Sequence, residues 1–402
     1  MEQPDPLVKE LAGEAPDFSL VLGGPLFQLW RRTHLTGDGL ELPLRRVGVI
    51  SLFVWLPLLI LSMIDRTALH GTVRVSFLHD IEAHVRFLIA LPILIVSEVV
   101  VHRRVSPLVR RFVQRSIIVS KDLPRFYAAV NSALRIRNSV LAEGMLFALV
   151  YTAGLWIWKS QVALDEPTWY GMREAKQLHL SSAGYWYTFV SIPIFQFILA
   201  RWYMRLGIWF RLLWQISRLD LRLTAAHPDR AGGIGFVGKS SYAFGPILFA
   251  QGTLLSGVIA SRVLYDRQSL LSFKMEAAGF VGFFVFAVLA PLVMFTPMLE
   301  SARRKGSAQY GLLASRYIFG FEDKWIQAGD PEMSKLLGSN DIQSMADMAN
   351  VCANVRQMRL VPFGTDDITR LALATAAPLL PLALTMFSVP ELAKFLVKIV
   401  FK

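Results

Sequence analysis

Seven stretches of this chain are apolar enough, and long enough or nearly so, to cross a hydrocarbon core that takes about 20 residues of helix. They run Val47 to Ile64, Val85 to Val101, Ser139 to Trp158, Tyr185 to Tyr203, Tyr242 to Leu264, Ala277 to Thr296 and Leu371 to Phe387. A backbone in lipid must satisfy its own N–H and C=O groups, so segments of this length are expected as helices. The fold class that follows is all-α: a polytopic membrane protein with six or seven transmembrane helices and a small helical cytosolic module. Six or seven is left open because Pro378 and Pro381 interrupt the last stretch. It either crosses with a kink or dips in and returns as a re-entrant hairpin, and its length favours crossing.

Lysine and arginine set the orientation. His102 to Asn138 carries nine of them against one acid, Asp122; Arg205 to Ser241 carries six, and Met298 to Arg370 nine. The alternate connections hold two between the first pair of helices and three from Lys159 to Gly184. The basic side is therefore expected in the cytoplasm, with the N-terminus. Trp156, Trp158, Tyr185, Trp186 and Tyr187 mark an outer aromatic belt, and Trp202 and Tyr203 an inner one. The formal charge of +12 thus belongs to a membrane protein's inner face, which excludes nucleic acid and makes anionic lipid the expected partner. The first 46 residues are polar and carry acids, unlike a cleavable signal, so the first apolar stretch is expected as an uncleaved anchor.

The chain divides into a cytosolic N-terminal segment (1–46), a membrane domain of six transmembrane helices with basic cytosolic loops (47–297), a helical cytosolic module (298–369), and a C-terminal part (370–402). That last part holds the transmembrane or re-entrant helix and a terminal amphipathic helix from Pro390 to Lys402. Leu108, Val109, Phe112, Val113 and Ile117 recur at helical spacing with arginines opposite, which reads as a helix lying on anionic lipid. The fourth helix continues to Leu221 as an amphipathic extension on or leaving the inner surface. Asp341 to Arg359 is expected as a helix with Ile342, Met345, Ala349 and Cys352 on one face.

The break between the fourth and fifth stretches reads His-Pro-Asp-Arg-Ala-Gly-Gly-Ile-Gly-Phe-Val-Gly, from His227 to Gly238. It contains a literal Gly-x-Gly-x-x-Gly, but no strand precedes the glycines, so a tight turn is the better reading than a dinucleotide site. His227 and Asp229 either close a helix C-terminus, with Pro228 as the stop, or line a polar vestibule. Ionisable groups at membrane depth want partners or water. Glu98, Glu143 and Arg201 fall at the depth where this loop emerges, so Glu98, Glu143, Arg201, His227 and Asp229 form the candidate polar cluster. The alternative is a set of interfacial salt bridges that fix helix packing.

No cofactor site and no metal site is expected. His79, Asp80, Glu82 and His84 are metal-capable, but the two histidines do not share a helix face. The single cysteine, Cys352, excludes an intrachain disulfide. No Walker loop, His-Glu-x-x-His or Gly-x-Ser-x-Gly is present, which weighs against an enzyme. Gly252, Ser256 and Ala260 repeat every four residues, a face for close packing within the chain or between protomers of a homo-oligomer.

Three stretches carry a resemblance: His-Pro-Asp-Arg-Ala-Gly-Gly-Ile-Gly-Phe (227–236), Asp-Ile-Gln-Ser-Met-Ala-Asp (341–347) with Met-Arg-Leu-Val-Pro-Phe (358–363), and Ala-Pro-Leu-Leu-Pro-Leu (377–382). Together they resemble a family of uncharacterised bacterial polytopic inner-membrane proteins. The resemblance implies an inner-membrane location and no particular activity. Three functions stay open: an ion or small-solute channel or transporter working near the polar cluster, a membrane scaffold or sensor, and a lipid-active enzyme using His227 and Asp229 as acid and base.

Overall fold

The computed structural model describes residues 18–33, 43–69, 73–157, 167–174, 177–327 and 340–386. The expected C-terminal amphipathic helix lies outside them. Among the described residues, seven helices are long and apolar enough to cross a membrane: Pro43–Ile64, Ile81–Gln114, Val140–Ile157, Ser182–Ile216, Gly235–Tyr265, Leu270–Trp325 and Thr365–Leu384. Each contains or overlaps one of the seven apolar stretches, and they are called here the first to seventh spans. A hairpin of two strands, Gly171–Glu174 and Gln177–Leu180, is the only sheet among the described residues. The chain is a multi-pass, all-α integral membrane protein.

The second span is the hub, packed against the first, fourth and fifth. Its buried face runs unbroken from Leu91 and Leu94 through Val101 and Val105 to Phe112. The third span leans on the fourth, and the seventh lies between the fifth and sixth.

The seventh span is long and apolar enough to cross, and its described part runs on beside the fifth without turning back. Thr375 packs on Gly252, the Ser256 hydroxyl donates to Pro378 O at 2.7 Å, and Leu382 is buried with Ile259 and Phe273. Contacts that advance together along both helices mean the two run parallel, end to end. A Cβ at Gly252 would stand 1.9 Å from Thr375 O, so glycine is what lets the two backbones meet. The small-residue face is thus used within the chain. Pro378 and Pro381 have no N–H for an α-helical ladder, and the span finishes as 3₁₀ helix over Ala377–Met386.

One surface reading is corrected, and a second is narrowed to one of its two alternatives. Leu108, Val109, Phe112 and Val113 do not lie on lipid; the second span runs on as one helix to Gln114 and buries all four. Their partners are Phe126, on the Leu123–Arg137 helix, and Phe236, whose rings lie 6.2 and 5.1 Å from that of Phe112. The amphipathic pattern is the same whether lipid or protein covers it. The fourth span likewise leaves the membrane layer, burying Trp209, Leu212, Leu213 and Ile216 mainly against that same helix. The spans therefore extend into a protein layer at the arginine-rich end, hereafter the basic end. There the sixth span continues as the Thr296–Trp325 helix, paired with Asn340–Arg356. Asp341 fastens the pair by accepting from Trp325 Nε1 at 2.9 Å and Lys324 Nζ at 2.6 Å. The face turned inward is Met345, Met348, Cys352 and Val355, while Ile342 and Ala349 are exposed.

Candidate functional site

Of the five residues expected to cluster, Glu98, Glu143 and Arg201 come together. Glu98 Oε2 is 2.8 Å from Arg46 Nη1, and its Oε1 is 2.8 Å from Arg205 Nη1 and 3.8 Å from Arg201 Nη1. Arg201 Nη2 reaches Glu143 Oε1 at 3.0 Å, and Glu143 Oε2 accepts the Leu26 N–H at 2.9 Å. All five side chains are at most 7% exposed. Arg46 and Arg205 were not in the expected set. The first sits at the very start of an apolar stretch and the second just beyond another, where arginines read as ordinary interfacial charge.

The N-terminal segment closes this network from the basic end. Its Pro25–Arg32 helix presents the Leu26 N–H to Glu143 and lays the Trp30 ring 4.7 Å from the Arg46 guanidinium and 5.6 Å from that of Arg201. Arg137 donates to Ser19 O and to Asn138 Oδ1. Burial, helped by the nearby Arg205 charge, brings the Arg137 pKa down to about 10. Ser19 Oγ pairs with His102 Nδ1 at 2.9 Å.

His227 and Asp229 stand apart from the network; among the described residues no hydrogen bond or ion pair joins them to it. The expected helix stop at Pro228 is also absent, because the fourth span ends at Ile216, well before it. Asp229 instead organises its own loop. Oδ1 accepts from Ala231 N at 2.8 Å and Gly233 N at 3.1 Å, and Oδ2 accepts from Gly235 N at 2.9 Å. Gly232 and Gly233 take φ of +66° and +96°, which turns those amides onto the carboxylate. Burial pushes the Asp229 carboxyl up, but the three backbone donors outweigh it and hold it below the ordinary carboxylate range. His227 Nδ1 lies 2.9 Å from Asp229 Oδ1. The loop docks on the 358–363 stretch: Arg359 N donates to Arg230 O at 2.7 Å, Arg359 Nη2 to Asp229 O at 3.0 Å, and a Cβ at Gly238 would meet Pro362 O at 2.0 Å. The Gly-x-Gly-x-x-Gly is therefore part of a tight, close-packed turn.

A second polar site lies toward the opposite end, inside the span layer. A cavity of about 220 Å³ opens between the second, fourth and fifth spans, with Ile157 of the third at its edge. Phe195, Leu199, Leu254 and Val258 wall it, and among the described residues its only charged lining residues are Glu82 and Arg86. Arg86 Nη1 donates to Tyr187 Oη at 2.6 Å, while its Nη2 stays 3.8 Å from Glu82 Oε2, beyond hydrogen-bond length. Arg262 is a second cation near Glu82. Gln196 also lines the cavity; its Nε2 donates to Gly154 O at 3.1 Å, but its Oε1 is buried and has no donor among the described residues.

Each helix around this cavity on the second, third and fourth spans carries a π-helical turn: Val85–Ala90, Val150–Gly154 and Tyr187–Ser191. These turns hold Arg86, the Gly154 carbonyl and Tyr187. A π turn inserts one residue and re-aims the side chains around it, a device found often at functional sites. Nothing in the sequence marks it. The neighbouring metal-capable residues have partners of their own: Asp80 accepts from Trp169 Nε1 at 2.8 Å and Ala83 N at 3.0 Å, and His84 Nδ1 accepts from Trp55 Nε1 at 3.0 Å. No protein-family model, no curated protein and no solved structure matches this chain.

Proposed function

We propose that this protein is a membrane carrier for a small amphipathic solute, bound in the cavity between the second, fourth and fifth spans. The observation that carries the reading is an ion pair, Glu82 and Arg86, at 3.8 Å and so without a direct hydrogen bond, on the wall of a largely apolar cavity within the span layer. A charge at membrane depth costs about 2.5–3.5 kcal/mol on insertion scales, so a fold that only needed packing would close the pair or dispense with it. Apolar walls with a few convergent polar groups are the ordinary makeup of a small-molecule site. The π turns in the helices lining the cavity also support a ligand site there, since such turns recur at functional sites.

The arginine–glutamate network supports a different role. Glu98 and Glu143 are each engaged by arginine, so permeation through that cluster has no free carboxylate to work with, and a packing lock is its better reading. Asp229 spends both carboxylate oxygens on its own loop, which leaves the acid–base pair of a lipid-active enzyme without a base. By the positive-inside rule the basic end faces the cytoplasm, and the membrane is a bacterial inner membrane.

The test is solute uptake by purified protein in liposomes, wild type against Val258→Trp, which fills the cavity without touching a charge. Uptake of small amphipathic solutes by the wild type, reduced at least tenfold in a variant that keeps its helical content, is the expected result. Equal uptake by both would remove the cavity from the pathway.

A further inference from the structure

Resting on the carrier reading, we infer that the solute is a zwitterion with a short apolar tail, its anionic group on Arg86 and its ammonium on Glu82. The argument is one of charge balance in a confined space. Among the described residues Glu82 and Arg86 are the only charged ones on the cavity wall, and Asp80 and Arg262 nearby add one more charge of each sign, so that this set is neutral. A purely anionic ligand would draw Arg86 away from Glu82 and leave a partly buried carboxylate uncompensated; a purely cationic one would strand Arg86. A ligand with both charges a few ångströms apart offers each member of this loosely held ion pair the direct hydrogen bond that a 3.8 Å separation does not give.

The remaining polar atom fits the same ligand. Gln196 Oε1 is a buried acceptor without a donor among the described residues, and an ammonium brings several N–H groups to a site where Glu82 consumes only part of them. Gly154 is what seats that amide, since a Cβ there would stand 2.5 Å from Oε1. A cavity of about 220 Å³ holds on the order of seven water-sized volumes, room for a charged head and a branched tail of four or so carbons against Phe195, Leu199, Leu254 and Val258. Two sources share this chemistry: a free apolar amino acid, and the headgroup of a zwitterionic lipid entering from the bilayer.

The experiment is equilibrium binding to the purified full-length protein of four probes: leucine, 4-methylpentanoate, 3-methylbutylamine and dihexanoyl phosphatidylethanolamine. Leucine or the short lipid is expected to bind at least tenfold more tightly than either single-charge analogue, and whichever binds names the source. Glu82→Gln is expected to erase the advantage over the carboxylate, and Gln196→Leu, which leaves both charges in place, to weaken the zwitterion severalfold. A single-charge analogue that binds as well as the zwitterions overturns the substrate class and leaves the carrier standing. Binding by none of the four overturns the class as well, and uptake by the Val258→Trp protein then decides the carrier separately.

Discussion

Glu98 is held by Arg46 and Arg205 at 2.8 Å each, in surroundings where all three side chains are at most 4% exposed. Removing one member of a buried ion pair costs about 3–5 kcal/mol, chiefly because the partner keeps a charge it can no longer place. Glu98→Gln strands two arginines, and it is expected to lower the unfolding midpoint sharply. Adding Arg205→Met to it is expected to recover part of the loss, and thermal unfolding in detergent checks both. Outside the membrane layer, two carboxylates make the basic end acid-sensitive. Asp122 is lowered by the Asp220 N–H at 2.7 Å and by Arg125, and Asp229 by its three backbone donors against the upward push of burial. Each folded pKa is depressed, so the stabilisation is fully present above the ordinary carboxylate value of about 4 and is lost as pH falls through the lower, folded value. Hydrogen-exchange protection of the Ala231, Gly233 and Gly235 amides is expected to hold at pH 5 and to fail only well below 4. Asp229→Asn is expected to lose it at neutral pH. At this scale the sequence was informative about depth and silent about partners: it placed Glu98, Glu143 and Arg201 at one level, but the depth of His227 and Asp229 did not reveal that Asp229 would turn inward on its own backbone.

At the scale of elements, π turns and small residues do what propensity does not announce. The turn at Val85–Ala90 carries Arg86 and faces the cavity; deleting Leu88 from it would restore ordinary helix and swing Arg86 away by about 100°, one residue's rotation. Such a deletion is expected to abolish solute binding while the other spans keep their packing, measured by binding alongside circular dichroism. Gly252→Val is expected to force the fifth and seventh spans apart and cost about 1–3 kcal/mol, because the obstructing atom is backbone, Thr375 O. The seven spans were legible because a 20-residue apolar run has few other readings. What lay beyond the bilayer was not: a helical stripe such as Leu108 to Val113 says that something apolar covers it, and only the fold says that the cover is Phe126 and Phe236 rather than lipid. The cavity left even less trace. Glu82 and Arg86, four apart near a helix start, look like an interfacial pair, and Gln196 is a single polar residue in an apolar run.

For the molecule as a whole, the two polar sites sit toward opposite ends of the second and fourth spans, and they are built on opposite terms. The network at the basic end is closed: three arginines and two glutamates engage one another under the Trp30 ring. The cavity toward the other end keeps its charges apart. The orientation is testable alone: with Cys352 replaced by serine, a cysteine at Arg267 is expected to react with an impermeant reagent from outside the cell and one at Arg222 only after lysis. The central claim is the cavity, and the most direct measurement is uptake of leucine and of zwitterionic lipid into liposomes containing wild-type or Val258→Trp protein. The account predicts uptake by the wild type of at least one of them, and its loss when the cavity is filled. Uptake that survives the tryptophan, with the fold intact, would contradict it.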